Sequence, residues 1–94
     1  MRRNPIGGYQ GPVTILTHED VVVAQAACRY RAEEDSAGVD HWSGRLHRIA
    51  RADAITAGTY RLRFDSGHQG EIVIAAVPPG SRVIDFEGVG DRPL

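Results

Sequence analysis

Residues 21–31, Val21-Val22-Val23-Ala24-Gln25-Ala26-Ala27-Cys28-Arg29-Tyr30-Arg31, decide how this chain folds. Val22, Ala24, Ala26, Cys28 and Tyr30 recur at period two, and Gln25, Arg29 and Arg31 fall between them. A strand sends successive side chains to opposite faces, so strict alternation over this length predicts a long strand with one buried face. The alanines would also suit a helix, but the opening valine triplet favours extended backbone.

The same period continues in both directions. Upstream, Pro12 opens an apolar run over residues 13–17, in the position where a missing N–H costs a strand least. His18-Glu19-Asp20 is a polar turn, and Asn4-Pro5-Ile6-Gly7-Gly8 reads as a turn-rich lead-in. Downstream, after the acidic loop Glu33-Glu34-Asp35-Ser36-Ala37-Gly38, a strand over 41–49 places Trp42, Gly44 and Leu46 on one face. His41, Ser43, Arg45 and His47 take the other face. Gly44 inside a strand marks a bulge, a bend or a close approach by another group. Residues 50–57 are the one candidate helix, about two turns, stopped by Gly58. Tyr60, Leu62 and Phe64 then alternate with Arg61 and Arg63, and a Gly-bounded hairpin connection leads to an apolar strand over 71–77. Pro78-Pro79-Gly80-Ser81 forces a turn before a last strand over 82–88.

Six short strands with tight turns predict an all-β fold, a small antiparallel six-stranded meander with at most one short helix. With so little helix to cover its apolar face, the sheet must close into a barrel or fold over as a sandwich. The 94 residues allow one domain, with residues 1–10 as lead-in and 89–94 as tail. A domain this small buries roughly 60–70% of its unfolded surface, which is enough to fold alone around a modest core.

Composition excludes more than it assigns. A net charge of -1 gives no electrostatic case for nucleic acid, a membrane surface or acidic partners. All 11 basic residues are Arg, a bias that GC-rich coding explains. Arg forks that bind carboxylate or phosphate are the functional reading for one or two of them. Cys28 is the single cysteine, so no intrachain disulfide forms, and it reads as a small buried apolar residue. No apolar run follows the basic residues 1–4 and none reaches the length of a membrane span, so the expected location is cytoplasmic. G-x-S-x-G, phosphate-loop and dinucleotide motifs are absent, and the glycines of 7–11 precede a strand, not a helix. No cofactor, catalytic residue or metal ligand set is predicted. A structural zinc would want clustered Cys, and His41 and His47 lie six residues apart on one strand.

Three segments in order, Gly8-Tyr9-Gln10-Gly11-Pro12-Val13, His41-Trp42-Ser43-Gly44-Arg45-Leu46 and Phe86-Glu87-Gly88-Val89-Gly90, carry a resemblance. Together they resemble a small actinobacterial domain of unknown function, often found C-terminal to flavin-dependent monooxygenase modules and sometimes standing alone. The resemblance spans residues 8–94. Two pieces depart from that family's pattern. Cys28-Arg29-Tyr30-Arg31-Ala32 stands where the family has Gly-His-Phe-x-Pro, and Arg92-Pro93-Leu94 stands where it ends in a doubled Pro. The resemblance implies a β-rich domain in an oxidoreductase neighbourhood, and brings no activity or catalytic residues with it.

The candidate site is the polar row His41, Ser43, Arg45, His47. If neighbouring strands pair as a meander, Arg29 or Arg31 and Arg61 or Arg63 flank it, a cluster suited to a carboxylate or phosphate. The bland alternative is a solvated outer face balanced by residues such as Asp65 and Glu71. Trp42, the sole Trp, reads as a core anchor whose indole N–H needs a partner. The alternative sets Trp42, Tyr9 and Tyr30 around a barrel mouth that takes a ligand. The leading expectation is a non-enzymatic binding or interaction module, self-associating or accessory to an oxidoreductase, with a small anionic ligand as a secondary prospect. The alternative is a small-molecule-binding barrel, with or without enzymatic activity, that uses His41, Arg45 and His47 beside Trp42. Single-strand nucleic-acid binding has the Arg and Tyr ingredients but no positive field.

Overall fold

A computed structural model describes residues 3–93. Six strands follow in order: β1 (Asn4–Leu16), β2 (Val22–Glu34), β3 (Asp40–His47), β4 (Gly58–Phe64), β5 (Gln69–Ile74) and β6 (Ile84–Val89). All pairings are antiparallel, and the sheet closes into a barrel in the order β1-β2-β3-β6-β5-β4. The expected all-β barrel is therefore present, built as two three-stranded meanders joined along two seams. One seam pairs β3 with β6 over Ser43–Leu46 and Ile84–Glu87, and the other pairs β1 with β4 from Val13↔Phe64 to Leu16↔Arg61.

Except for Val22, which is 45% exposed where the β1–β2 register shifts between Ile15 and Leu16, the alternating residues do what their period requires. Ala24, Ala26, Cys28 and Tyr30 of β2, Trp42 and Leu46 of β3, and Tyr60, Leu62 and Phe64 of β4 are buried, as are Ile72, Ile74, Ile84 and Phe86. Gly44 meets the expectation of a close approach: a Cβ there would run into the Arg29 carbonyl and the Tyr30 backbone of β2. The expected helix over 50–57 is one 3-10 turn, Ala52–Ala54, within a connection that crosses from β3 to β4. Ile49 and Ile55, 1% and 2% exposed, plug that mouth of the barrel.

The opposite mouth is plugged by Trp42. Gly88 lies beneath the ring on β6, where a Cβ would overlap the indole. Gly70 lies under the far rim, where a Cβ would sit 2.8 Å from Cη2, and Pro93 packs over the same place. Edge-on contacts with Tyr30 and Phe86, at centroid distances of 5.2 and 5.8 Å, complete the cage. The indole Nε1 is buried without a hydrogen-bond partner among the described residues, so burial of the ring must outweigh an unmet donor.

Residues 4–8 are not a turn-rich lead-in: they form the first part of the 13-residue β1, paired to β2 from Asn4↔Glu34 onward. The glycines there serve close approach. A Cβ on Gly8 would sit 2.9 Å from the Tyr30 carbonyl, and one on Gly11 would sit 2.7 Å from Oη of Tyr9. Tyr9 folds over Gly11, and its hydroxyl donates to the Pro12 carbonyl at 2.8 Å. The tail of the chain returns to this segment, where Arg92 Nη1 donates to the Ile6 carbonyl at 2.6 Å and Nε lies 3.7 Å from Asp40 Oδ2. Leu94, the last residue of the expected tail, lies outside the described residues.

Because the indole occupies the space a side chain at 88 would need, Gly88→Ala should lower stability by about 1–3 kcal/mol, the usual cost of overpacking a filled core. Urea unfolding followed by Trp fluorescence measures this, and an unchanged midpoint would mean the slot is wider than described.

Candidate functional site

β3 turns its polar row outward as predicted, but its neighbours divide the row. His41 Nε2 lies 2.8 Å from Asp35 Oδ2 in the β2–β3 turn. Asp35 Oδ1 also accepts the amides of Ala37 and Val39 at 2.9 and 3.0 Å. The His41 contact, then the Val39 amide, hold the Asp35 carboxyl below the usual carboxylate range. His41 is thus the anchor of a turn. Arg45 Nε donates to Asp85 Oδ1 of β6 at 2.8 Å, and that carboxylate tightens the guanidinium's hold on its proton. Both partners are exposed, so the pair adds little to stability.

The strands beside β3 set the rest of the surface. Arg29 stands opposite Arg45 and Arg31 opposite Ser43 on β2, while Asp85 and Glu87 oppose the same two residues on β6. Arg61 and Arg63, expected as further flanks, lie on β4 between β1 and β5 instead. There Arg61 Nη1 donates to Asp20 Oδ1 at 3.1 Å. The strand that follows β3 in sequence is not its neighbour, because the 48–57 connection carries the chain across the barrel mouth to the β1 seam.

A groove of about 1140 Å³ crosses this outward face. Gly8 and Gln10 of β1 bound one end, and Val73 of β5, 40% exposed, bounds the other. Between them stand Arg29, Arg31, Ser43, Arg45, His47, Asp85 and Glu87. The groove is bipolar: basic along β2, acidic along β6. Among the described residues Arg29, Arg31 and Glu87 have no ion-pair partner.

The aromatic candidates do not belong to the polar row of β3. Tyr30 and Trp42, 4% and 3% exposed, are core residues, and Tyr30 packs edge-on to Phe64 at 5.8 Å. Tyr9 is half-buried, stacked on Tyr30 at 6.1 Å and edge-on to Phe64 at 4.9 Å. Burial first, and the Asp65 carboxylate second, raise its phenol above the ordinary value. Both tyrosines reach the groove at its β1 end, but Trp42 does not line it. Asp85, Glu87 and Val73 are groove residues that sequence reasoning did not bring to β3. Their outward placement was visible in the alternation of the last two strands, but that β6 lies beside β3, with β5 next to β6, was not.

Among the described residues, no three His, Cys, Asp or Glu side chains are grouped to hold a metal ion, and no helix is long and apolar enough to cross a membrane. Cys28 is a free, buried thiol whose pKa is pushed up to about 12 by burial. What fold and surface define is a closed six-stranded antiparallel β-barrel with a filled core and a bipolar outward groove. Comparison of the chain with protein-family models, with curated proteins and with solved structures finds no match.

Two predictions follow from these environments. With its carboxyl depressed in the folded state, Asp35 stabilises the fold above its unfolded pKa of about 3.9, and that contribution disappears as pH falls through the lower folded value. Urea midpoints followed from neutral pH into that acid range should therefore fall less steeply for Asp35→Asn than for the native chain; parallel profiles would show that the turn network is not coupled to folding. Cys28 should ignore a thiol reagent such as DTNB in native buffer and react fully in denaturant. Rapid native labelling would show that the core opens locally.

Proposed function

We propose that this chain is a non-enzymatic binding module whose working surface is the outward groove, and that Arg29 and Arg31 there take carboxylates from a protein partner. The observation that carries this reading is a pair of exposed guanidiniums without ion-pair partners among the described residues, on alternate positions of one strand, at the wall of a groove of about 1140 Å³. Arg forks engage carboxylates in bidentate fashion. Alternate strand positions repeat about every 6.7 Å, so the two would suit acids at alternate positions of an extended segment. Tyr30, Trp42, Phe64 and Phe86 fill the interior, which favours the outer surface over the mouth as the place of recognition.

A single thiol, free and buried, fits a reducing compartment such as the cytoplasm. The resemblance to domains that follow monooxygenase modules supports an oxidoreductase as one candidate partner.

Titration of the ¹⁵N-labelled protein with a blocked peptide of alternating Glu and Ser tests the reading. Amide shifts are expected at 29–31 and 43–47, weakening with added salt and absent in Arg29→Ala/Arg31→Ala. Equal binding by that double variant, or shifts centred on another face, would sink it.

A further inference from the structure

We propose that the acidic partner of this surface is a second copy of the same chain, docked face to face about a twofold axis that runs along β3. The inference rests on the carboxylate-binding reading of the groove and names its occupant.

The argument is one of register. Arg29, Arg45 and Asp85 form one cross-strand level, and Arg31, Ser43 and Glu87 form the next. The basic pair on β2 and the acidic pair on β6 are therefore matched in height and lie on opposite sides of β3. Each is one strand away from it, about 4.8 Å. A twofold axis parallel to β3 exchanges the two sides and preserves the levels. It sets Arg29 over the second copy's Asp85 and Arg31 over the second copy's Glu87, and repeats both contacts by symmetry. An axis across the strands would set β2 over β2, Arg against Arg. The axis along β3 also sets Arg45 against the second copy's Arg45, but each is already held by Asp85 of its own chain, so the charge pattern favours the axis along β3 over the axis across the strands.

Shape is consistent with that arrangement. Residues of β3 and β6 line the groove beside Arg29 and Arg31, so long Arg stems from β2 of the second copy can reach into it. Asp85 gives Oδ1 to Arg45 of its own chain, which leaves Oδ2 for the incoming guanidinium. Val73 shares the level of Glu87, and Gly8 shares that of Arg31, so the same rotation brings exposed Val73 toward a position without a side chain. Complementary charge at this density chiefly fixes orientation and partner choice, so the expected dimer is weak and salt-sensitive.

Sedimentation of the full chain, with native mass spectrometry, tests this at low and high salt. The native protein should dimerise at low salt and dissociate as salt rises. Arg31→Glu and Glu87→Arg each set like charges across the interface and should weaken self-association by about tenfold or more. Both sites are exposed, and far-UV circular dichroism confirms that each variant is folded. An equimolar mixture of the two should form a heterodimer, because residue 31 of each variant then meets an opposite charge at residue 87 of the other. A native protein that stays monomeric at low salt, single variants that dimerise normally, or a mixture that stays monomeric would each overturn the inference. A monomer that still binds the acidic peptide through Arg29 and Arg31 would remove the dimer and leave the carboxylate reading standing. A monomer that ignores the peptide would remove both.

Discussion

Four cross-strand pairs, Val13–Phe64, Thr14–Arg63, Ile15–Leu62 and Leu16–Arg61, close this molecule on itself. Everything else depends on that seam. Each meander alone is a three-stranded sheet with one apolar face, and the described residues have only a single 3-10 turn to lay over either. Closure makes each meander the cover of the other and gives the core its two mouths. Only then do Ile49 and Ile55 at one end and Trp42 at the other have something to plug. Burial of these side chains, at about 25 cal/mol per Å² of apolar surface, is what orders the strands against their conformational entropy.

The inward and outward faces were legible in the sequence almost residue by residue, because period two is a local property. A side chain's face is set by its own strand, whichever strand pairs with it. Cys28, Tyr30, Trp42, Leu46, Leu62 and Phe86 needed only their immediate neighbours to be placed. Strand order is a different kind of fact. It depends on where the 48–57 crossing delivers the chain, and nothing in those ten residues advertises a passage over the barrel mouth. That is why Arg61 and Arg63 were expected beside β3, and why Asp85 and Glu87, the residues that stand there, were not. The glycines of the first strand were opaque for a related reason: what they accommodate, the Tyr30 carbonyl and the Tyr9 ring, comes from pairing and folding-over that composition does not show.

The same alternation separates what the protein must keep from what it can display. Inward positions are constrained by packing, whereas outward positions on β2, β3 and β6 touch mainly water and each other. Exposed ion pairs contribute little to stability, so the fold alone gives no account of two arginines, without ion-pair partners among the described residues, level with two acids across one strand. The partner contact proposed above would give that placement a physical role.

One consequence of the long first strand concerns how the protein behaves in a crowd. Beyond the seam, residues 4–11 run on with β2 along one side only, and the other side is an edge of the kind that recruits strands from neighbouring molecules. This edge is blunted along its length. Pro5 and Pro12 carry no amide hydrogen to offer, the Arg92 guanidinium occupies the Ile6 carbonyl, and the Tyr9 hydroxyl occupies that of Pro12. An incoming strand would find a broken ladder where a regular one is needed. Through Arg92 the C-terminal tail thus takes one carbonyl of this edge out of reach of an incoming strand.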